Sequence, residues 1–313
     1  MKIIRDYQFV KSSDKGASVA VGNFDGVHLG HQHVIDIARS WGNKNQSPLG
    51  VLTFEPHPRS YFSPDASNFR LMSSDAKATR LNKLNVKKLY ELNFNKTLSS
   101  LNPFDFADQV ISKGLGLRHL VVGEDFCFGK GRSGTVKDLI SLGSSMGFEV
   151  TIAELMETEI GRVSSTSIRN ALAEGRPNDA AKQLGHWHRI EGVVIGGEQR
   201  GRELGYPTAN MSLDNLHLPH LGVYAVLVDV LNGEHVGSYN GVASLGVRPM
   251  FGENTPNLET FIFDFSGDLY GATLSVALVE FMRPEIKFDS LESLIVQMDN
   301  DSLKSREILK SLK

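Results

Sequence analysis

Short apolar runs alternate with amphipathic stretches through the first 185 residues of the chain. Each apolar run is long enough for a buried strand, and each stretch between repeats apolar residues at helical spacing. The predicted strands are 18–22, 50–54, 88–92, 118–122 and 148–153. The predicted helices are 30–40, 75–84, 103–113, 135–145 and 165–173. Strands and helices that alternate in this way predict a parallel, doubly wound α/β sheet.

Beyond about residue 185 the pattern changes to strands separated by glycine-containing turns. The predicted strands are 190–195, 223–230, 235–242, 258–265 and 273–281, and helical spacing returns only from Ser290 onward. This pattern is typical of an antiparallel barrel or sandwich with a terminal helix. We therefore place a domain boundary near residue 186, which gives domains 1–185 and 186–313.

Composition and charge argue against several classes of protein. The 313 residues carry a net charge of −3, with a pI near 6.4, which argues against bulk electrostatic binding to nucleic acid. Cys127 is the one cysteine, so no intrachain disulfide can form. Neither a signal peptide nor an apolar run of membrane-spanning length is visible. We expect a cytoplasmic protein with no membrane partner.

The stretch Gly22–His31 reads G-N-F-D-G-V-H-L-G-H and joins a predicted strand to a predicted helix. A helix N-terminus after a glycine-rich loop is a ready phosphate site. His28 and His31 are three residues apart and can face the same way, so both can donate hydrogen bonds to an α-phosphate. Two alternatives are a glycine-rich turn with two satisfied histidines and a zinc site.

Two further segments suggest anion or cation binding. Ser164 or Ser165 is the expected N-cap of the helix 165–173, and Arg169 one turn later would complete an anion cradle. Thr208 and Asn210 follow Pro207, and on a strand their side chains point the same way. Hydroxyl and amide oxygens are hard ligands, which suit Mg²⁺ bound to ATP phosphates.

The segments Gly22–His31, Thr53–Pro58, Gly123–Gly129 and Arg162–Arg169 together resemble the H-x-G-H nucleotidylyltransferase superfamily. More narrowly, they resemble the adenylyltransferase half of the bacterial bifunctional riboflavin kinase/FMN adenylyltransferase family. The resemblance implies a Rossmann-like nucleotidylyltransferase domain. It implies ATP or phosphate contacts from Gly22, Phe24, Asp25, Gly26, His28, Gly30, His31, Ser164, Ser165, Thr166 and Arg169, and FMN contacts from Asp125, Phe126 and Phe128.

The second half is similar to the kinase half of the same family through its P-T-A-N segment, the stretch 240–249 and the stretch 256–265. The resemblance implies that Glu259 is the general base, and that Thr208 and Asn210 hold Mg²⁺. It also implies ATP or flavin contacts from Gly197, Arg202, Gly205, Pro207, Thr208, Asn210 and Arg248. At the position of Phe261 the family is expected to have a histidine. This difference leaves one contact next to the active site unassigned, whereas Glu259 stays the implied base.

The implied function is two consecutive reactions with ATP, riboflavin and FMN as substrates and FAD as product. Both reactions would need Mg²⁺. Three alternatives stay open: an enzyme with one active half, a different H-x-G-H transferase, and a non-enzymatic flavin-binding protein. A different H-x-G-H transferase does not account for the P-T-A-N segment. A non-enzymatic flavin-binding protein would not need a carboxylate beside a Mg²⁺ site. The sequence does not specify an oligomeric state.

Overall fold

The computed structural model describes residues 1–64, 68–154, 156–158, 161–196, 205–213, 215–250 and 253–312. The chain divides into two compact units, Met1–Ser67 with Ser74–Val163, and Asn68–Ser73 with Ser164–Lys313. Segment 164–185 thus packs within the second unit. The functional domain ranges 1–185 and 186–313 stay a prediction.

The first unit is built on a six-stranded parallel sheet in the order β1-β4-β3-β2-β5-β6. Its strands are β1 (Lys2–Ile4), β2 (Ser18–Val21), β3 (Leu49–Glu55), β4 (Lys88–Asn93), β5 (His119–Gly123) and β6 (Glu149–Ala153). Its helices are α1 (Leu29–Lys44), α2 (Pro58–Phe62), α3 (Ser74–Lys83), α4 (Lys96–Ser99), α5 (Pro103–Asp105) and α6 (Val136–Met146). The predicted parallel α/β sheet is confirmed.

The sheet places a ligand crevice at a defined position. All four residues of β2 are buried, as expected of a central parallel strand covered by helices on both faces. The chain runs from β2 to β3 on one side and later to β5 on the other, so the strand order reverses between β2 and β5. In open α/β sheets, ligands bind beside the carboxyl ends of the strands at such a reversal. The loops that follow Val21 and Gly123 meet this condition.

Other elements of the first unit are short or irregular. The predicted helix 103–113 is a single α-helical turn, α5, followed by a π-helix over Phe106–Gly114. The wider turns still bury Phe106, Val110 and Ile111 in the core. A two-stranded ribbon of β7 (Glu157–Thr158) and β8 (Gly161–Arg162) precedes the second unit.

The second unit is an antiparallel sheet in the order β10-β13-β12-β11-β14-β9. Its strands are β9 (His188–Val193), β10 (Thr208–Ser212), β11 (Gly222–Val230), β12 (Gly237–Met250), β13 (Glu253–Ile262) and β14 (Thr273–Arg283). Ile195, just after β9, donates its backbone N–H to Asn210 of β10, which brings the two edges together. The predicted antiparallel barrel is confirmed.

The described part of the second unit contains the helices α7 (Ser165–Ala173), α8 (Pro177–Leu184) and α9 (Leu291–Lys310). Ser290 caps α9, and the Ser305 hydroxyl donates to the Gly241 carbonyl of β12. Leu309 packs with Phe263 and Val279 on the outer face of the barrel. The predicted terminal helix is confirmed. Among the helices of the described ranges, none combines the length and apolarity that crossing a membrane requires.

Candidate active sites

The first candidate site begins where β2 ends, at the loop that carries the H-x-G-H motif. Phe24, Gly26 and Val27 have positive φ angles of 52°, 88° and 44°, which turn the backbone sharply. Phe24 and Asp25 are buried, with 1% and 5% of their surface exposed. The loop joins the carboxyl end of β2 to the N-terminus of α1, which is a favourable place for a phosphate.

His28 is the N-cap of α1, and its Nδ1 accepts a hydrogen bond from the backbone N–H of His31 at 3.2 Å. Burial lowers the pKa of His28 to about 4, so the imidazole is neutral at pH 7. Because Nδ1 accepts a hydrogen bond, the ring proton is on Nε2. His28 therefore offers a substrate one N–H donor and no positive charge.

His31 stacks on His28, with ring centroids 3.6 Å apart and ring planes 15° apart. Burial lowers the pKa of His31 well below its usual value, and His28 and Lys77 lower it further. The Nδ1 atom of His31 is buried and has no hydrogen-bond partner within the described ranges. The motif thus presents two neutral, stacked imidazoles, which suit hydrogen bonding to a substrate better than ion pairing.

A lysine that the sequence pattern did not single out lies near the same loop. Lys77 of α3 is 1% exposed, and its Nζ donates to Thr53 Oγ1 at 3.3 Å. The Thr53 hydroxyl in turn donates to the Asn23 carbonyl at 3.2 Å. Nζ is also 3.6 Å from Glu55 Oε2. A buried cation is therefore linked through one hydroxyl to the H-x-G-H loop.

A cavity of about 300 to 1,000 Å³ is typical of a small-molecule site. The first unit contains one of about 880 Å³. Gly22 and Asn23 of the H-x-G-H loop form part of its wall. Aromatic rings form much of the rest of the wall, together with four basic side chains. The rings are Phe54, Phe62, Phe94, Phe106, Phe126 and Phe128, and the basic side chains are Arg59, Lys96, Lys130 and Arg132. An aromatic wall with nearby cations suits a flat ring system that carries a phosphate.

The three predicted FMN contacts all line this cavity. Asp125 forms an exposed ion pair with Arg162 at 3.1 Å. Phe126 stacks on Phe128 with ring centroids 5.9 Å apart, whereas Phe128 is 6% exposed and also packs in the core. The structure thus brings the loop after β5 to the same cavity as the loop after β2.

The predicted anion cradle of α7 lies in the second unit. Ser164 is the N-cap, and it forms a capping box with Ser167. Arg169 donates to the Phe69 carbonyl at 3.3 Å and to the Thr166 hydroxyl at 3.2 Å. Ser165 opens the helix. The cap is therefore as expected, and the anion-binding role of this segment stays a prediction.

The second candidate site lies on the pair of strands β10 and β13. Asn210 is directly opposite Glu259, and Thr208 is opposite Phe261, so these four side chains share one face of the sheet. Asn210 donates through Nδ2 to the Thr208 carbonyl at 3.3 Å, and its Oδ1 accepts from Asn257 at 3.0 Å. These two bonds orient the amide of Asn210, and its carbonyl oxygen keeps a second lone pair for a cation.

Two cavities meet at Thr208, which belongs to the wall of both. The larger, of about 320 Å³, is bounded by Pro207, Asn210 and the segment 265–270. The smaller, of about 170 Å³, contains Glu259 and Phe261 together with residues of α9. A carboxylate in the smaller cavity, an amide oxygen in the larger and a hydroxyl shared by both suit transfer of a phosphoryl group between two bound molecules.

The structure describes the other predicted kinase residues only in part. Gly197 and Arg202 lie outside the described residues. Gly205 has a φ of +83°, a left-handed conformation that favours glycine. Arg248 is on β12, and its side chain lies outside what the structure describes. Phe261, where a histidine was expected, packs on Tyr206 with ring centroids 4.9 Å apart.

Sequence reasoning missed two charged or polar contacts at the smaller cavity. Arg283 of β14 forms an ion pair with Asp301 of α9, with its Nη2 2.6 Å from Oδ2. The Tyr206 hydroxyl donates to Asp299 of the same helix. The two contacts join residues 18 and 93 positions apart, so no local pattern in the sequence could have indicated them.

Comparison with known proteins agrees with the division of the chain into two units, each with its own candidate site. A family described as FAD synthetase matches residues 10–167, and a family described as riboflavin kinase matches residues 184–309. A bifunctional riboflavin kinase/FMN adenylyltransferase from Pseudomonas fluorescens is 38% identical and covers 98% of each chain. The protein of the same description from Bacillus subtilis is 37% identical over 96% of this chain and 94% of its own.

A solved structure described as a macrolide-efflux protein from Streptococcus pneumoniae is also similar. It is 32% identical, with a TM-score of 0.84 over 97% of this chain and 98% of its own. That likeness extends over both units, so each has a counterpart in one solved chain. With two family matches in order and relatives that align along nearly the whole length, the chain belongs to the bifunctional riboflavin kinase/FMN adenylyltransferase family.

Proposed function

We propose that this chain makes FAD from riboflavin in two consecutive steps that each consume ATP. The second unit phosphorylates riboflavin to FMN, and the first unit transfers AMP to FMN and releases pyrophosphate. The observation that carries the proposal is the presence of two different sites, one in each unit, within the parts matched by the two families. Because both steps consume ATP, we also propose a cytoplasmic location.

In the kinase step, the smaller cavity holds riboflavin and the larger holds ATP. The Glu259 carboxylate removes the proton from the ribityl 5′-hydroxyl, whose oxygen then attacks the γ-phosphorus. The bond from that phosphorus to the β,γ-bridging oxygen breaks, and ADP leaves. The position of Thr208 in the walls of both cavities supports this assignment, since the transferred group must cross from one molecule to the other.

Thr208 and Asn210 are the residues that would hold Mg²⁺ in this step. Their hydroxyl and amide oxygens are hard ligands, and the two hydrogen bonds of the Asn210 amide orient its carbonyl oxygen. A bound Mg²⁺ would neutralise charge on the ATP phosphates. Phe261 and Tyr206 supply the apolar surface that a flavin ring needs beside the carboxylate.

In the adenylyltransferase step, a phosphate oxygen of FMN attacks the α-phosphorus of ATP, and pyrophosphate is the leaving group. His28 donates a hydrogen bond from Nε2 to the α-phosphate as negative charge develops there. A neutral imidazole can donate this hydrogen bond without transferring its proton. The histidines therefore stabilise the developing negative charge and do not act as acids or bases. The aromatic cavity of the first unit holds the flavin.

A time course with the purified full chain, riboflavin, ATP and MgCl₂ tests the proposal, with the flavins separated by chromatography. FMN that appears first and FAD that follows would support both steps. FMN without FAD would contradict the adenylyltransferase step. Unchanged riboflavin together with tight flavin binding would overturn the proposal in favour of a flavin-binding protein.

Two variants separate the sites. We expect the double variant His28→Asn/His31→Asn to form FMN and no FAD. We expect Glu259→Gln to lower FMN formation by about 10²- to 10⁴-fold, the usual contribution of a general base. FMN supplied directly should still become FAD in Glu259→Gln. Loss of both activities in either variant, with the fold retained, would contradict the assignment of the two steps to separate sites.

A further inference from the structure

Asn257 is a buried polar residue at the centre of the kinase site that the mechanism above does not use. It lies on β13 two residues before Glu259, so both side chains are on the same face of the strand. Its neighbours across the sheet are Ser212 of β10 and Gly246 of β12. Only 3% of Asn257 is exposed, and neither cavity of the second unit includes it in its wall.

The amide group of Asn257 joins two residues of the proposed mechanism. Its Nδ2 donates to Asn210 Oδ1 at 3.0 Å and to Glu259 Oε1 at 3.3 Å. Both partners are acceptors, so the NH₂ group must face them, and rotation of the amide by 180° would place oxygen against oxygen. One side chain therefore connects the metal ligand on β10 to the general base on β13.

Packing alone would not favour an asparagine at position 257. Burial of an amide is unfavourable unless its polar atoms are hydrogen-bonded. The Oδ1 of Asn257 is buried and has no hydrogen-bond partner within the described part of the chain. A leucine of similar shape would avoid that cost, so the asparagine has a role that offsets it.

We propose that Asn257 is a positioning residue for the kinase reaction, which holds the Glu259 carboxylate and the Asn210 carbonyl oxygen in a fixed relation to each other. The inference rests on the proposed roles of those two residues. Asn257 itself does not touch the substrate, since it is buried behind both cavities. Without its amide, both side chains gain rotational freedom, and the base and the metal ligand lose their mutual alignment.

The test uses Asn257→Leu in the full chain, with Asn240→Leu as the matched control. Asn240 is on β12 four residues from Ser244, which pairs with Glu259, so it lies well away from the base. For Asn257→Leu we expect kcat of the kinase step to fall roughly 10- to 100-fold, as on loss of residues that orient metal ligands. The Mg²⁺ concentration for half-maximal rate should rise, whereas KM for riboflavin should change little.

Binding and coupling measurements separate positioning from general damage. Riboflavin fluorescence should give the same dissociation constant for Asn257→Leu and for the unmodified chain without nucleotide, because the cavity wall is unchanged. In the background of Glu259→Gln, the leucine substitution should lower kcat much less than it does alone, since the residue it positions is already inactive. Asn257→Asp, which keeps the shape, serves as a second variant if the leucine variant does not fold. It should lower kcat at least as much, because a carboxylate would face two acceptors.

The inference is wrong if Asn257→Leu and Asn257→Asp keep the normal kcat and Mg²⁺ dependence while Glu259→Gln is inactive. It is also wrong if the leucine substitution lowers kcat by the same factor with and without Glu259, since that result indicates a structural effect. Failure of the proposed function is recognised separately, because Glu259→Gln itself would then retain kinase activity.

Discussion

At the scale of single residues, the charge state of the two motif histidines decides which chemistry is available to them. Burial lowers the pKa of both His28 and His31 and keeps the two rings neutral, so neither provides a cation for a phosphate. Lys77 provides the buried positive charge near the loop, at the other end of the link through Thr53. We therefore expect the histidines to supply hydrogen bonds and Lys77 to supply the positive charge in the adenylyltransferase step.

Replacement of Lys77 by methionine tests this division. The change removes a buried positive charge while it keeps most of the side-chain volume. We expect FAD formation from FMN to fall by about 10²-fold, a typical effect of loss of one preorganised electrostatic contact. FMN formation from riboflavin should not change, since Lys77 is in the first unit. The rates of both steps, measured separately, check the prediction.

The matched control is Lys83→Met, which removes an exposed lysine from the same helix. We expect normal rates for both steps in this variant. A Lys77→Met protein that folds and forms FAD at the normal rate would remove Lys77 from the adenylyltransferase site.

The motifs in the sequence predicted residues whose chemistry is local, and missed residues whose role depends on tertiary contacts. His28, His31 and the Ser164 cap follow from spacing within one loop or one helical turn. Lys77 lies in a helix with several charged residues, so its burial was not visible from the pattern. Asn257 is two residues from Glu259, but its bond to Asn210 depends on the pairing of β10 with β13.

At the scale of elements, the first turn of α1 leaves little space between Gly30 and the ring of His28, the N-cap of the helix. A Cβ atom on Gly30 would lie 3.2 Å from both Cε1 and Nδ1 of the His28 ring. An alanine at this position favours the helix by about 0.5 to 1 kcal/mol over glycine but pushes the ring away. Stability and catalysis should therefore respond differently to the same substitution.

For Gly30→Ala we expect a melting temperature equal to or above that of the unmodified chain, and a lower rate of FAD formation. FMN formation should be unaffected. Ser40→Ala, on an exposed position of the same helix, should leave both rates unchanged. An alanine variant that forms FAD at the full rate would mean that the position of the His28 ring is not critical.

Strand and helix types were predicted correctly for the long elements, and errors fell on element ends and short elements. The predicted strands 235–242 and 258–265 are longer or shifted, since β12 runs to Met250 and β13 begins at Glu253. The glycines and prolines of this stretch suggest breaks, but residues 241–250 of β12 pair without interruption with residues 253–262 of β13 and form one long hairpin. The three-residue β1 was not predicted, because it gains its order from pairing with β4.

At the scale of the whole molecule, both units bury histidines in a neutral form. Burial lowers the pKa of His28 and of His119 to about 4 in the first unit, and that of His188 to about 3 in the second. His119 is held between the Ser18 and Thr151 hydroxyls, each 2.8 Å from one ring nitrogen. Each of these groups makes the stability of its unit depend on pH.

The sign follows from comparison with the unfolded chain, in which a histidine titrates near pH 6.5. Between pH 6.5 and about 4 the unfolded state binds more protons than the folded state, so the free energy of unfolding falls as the pH is lowered. The limit is about 1.4 kcal/mol per pH unit for each fully buried histidine. Above pH 7 these histidines are neutral in both states and contribute no further pH dependence.

We therefore expect the melting temperature of the full chain to fall steeply from pH 6.5 to 4.5, measured by calorimetry. In His119→Gln the fall in the first unit should be shallower, even if the variant is less stable at pH 7, because one proton fewer is taken up on unfolding. His33→Gln, which changes an exposed histidine of α1, should leave the slope as it is. The same slope in His119→Gln and the unmodified chain would show that His119 does not take up a proton on unfolding in this interval. The burial that keeps the imidazoles of the H-x-G-H loop neutral thus belongs to a wider pattern of buried histidines, which makes the free energy of unfolding fall as the pH is lowered below about 6.5.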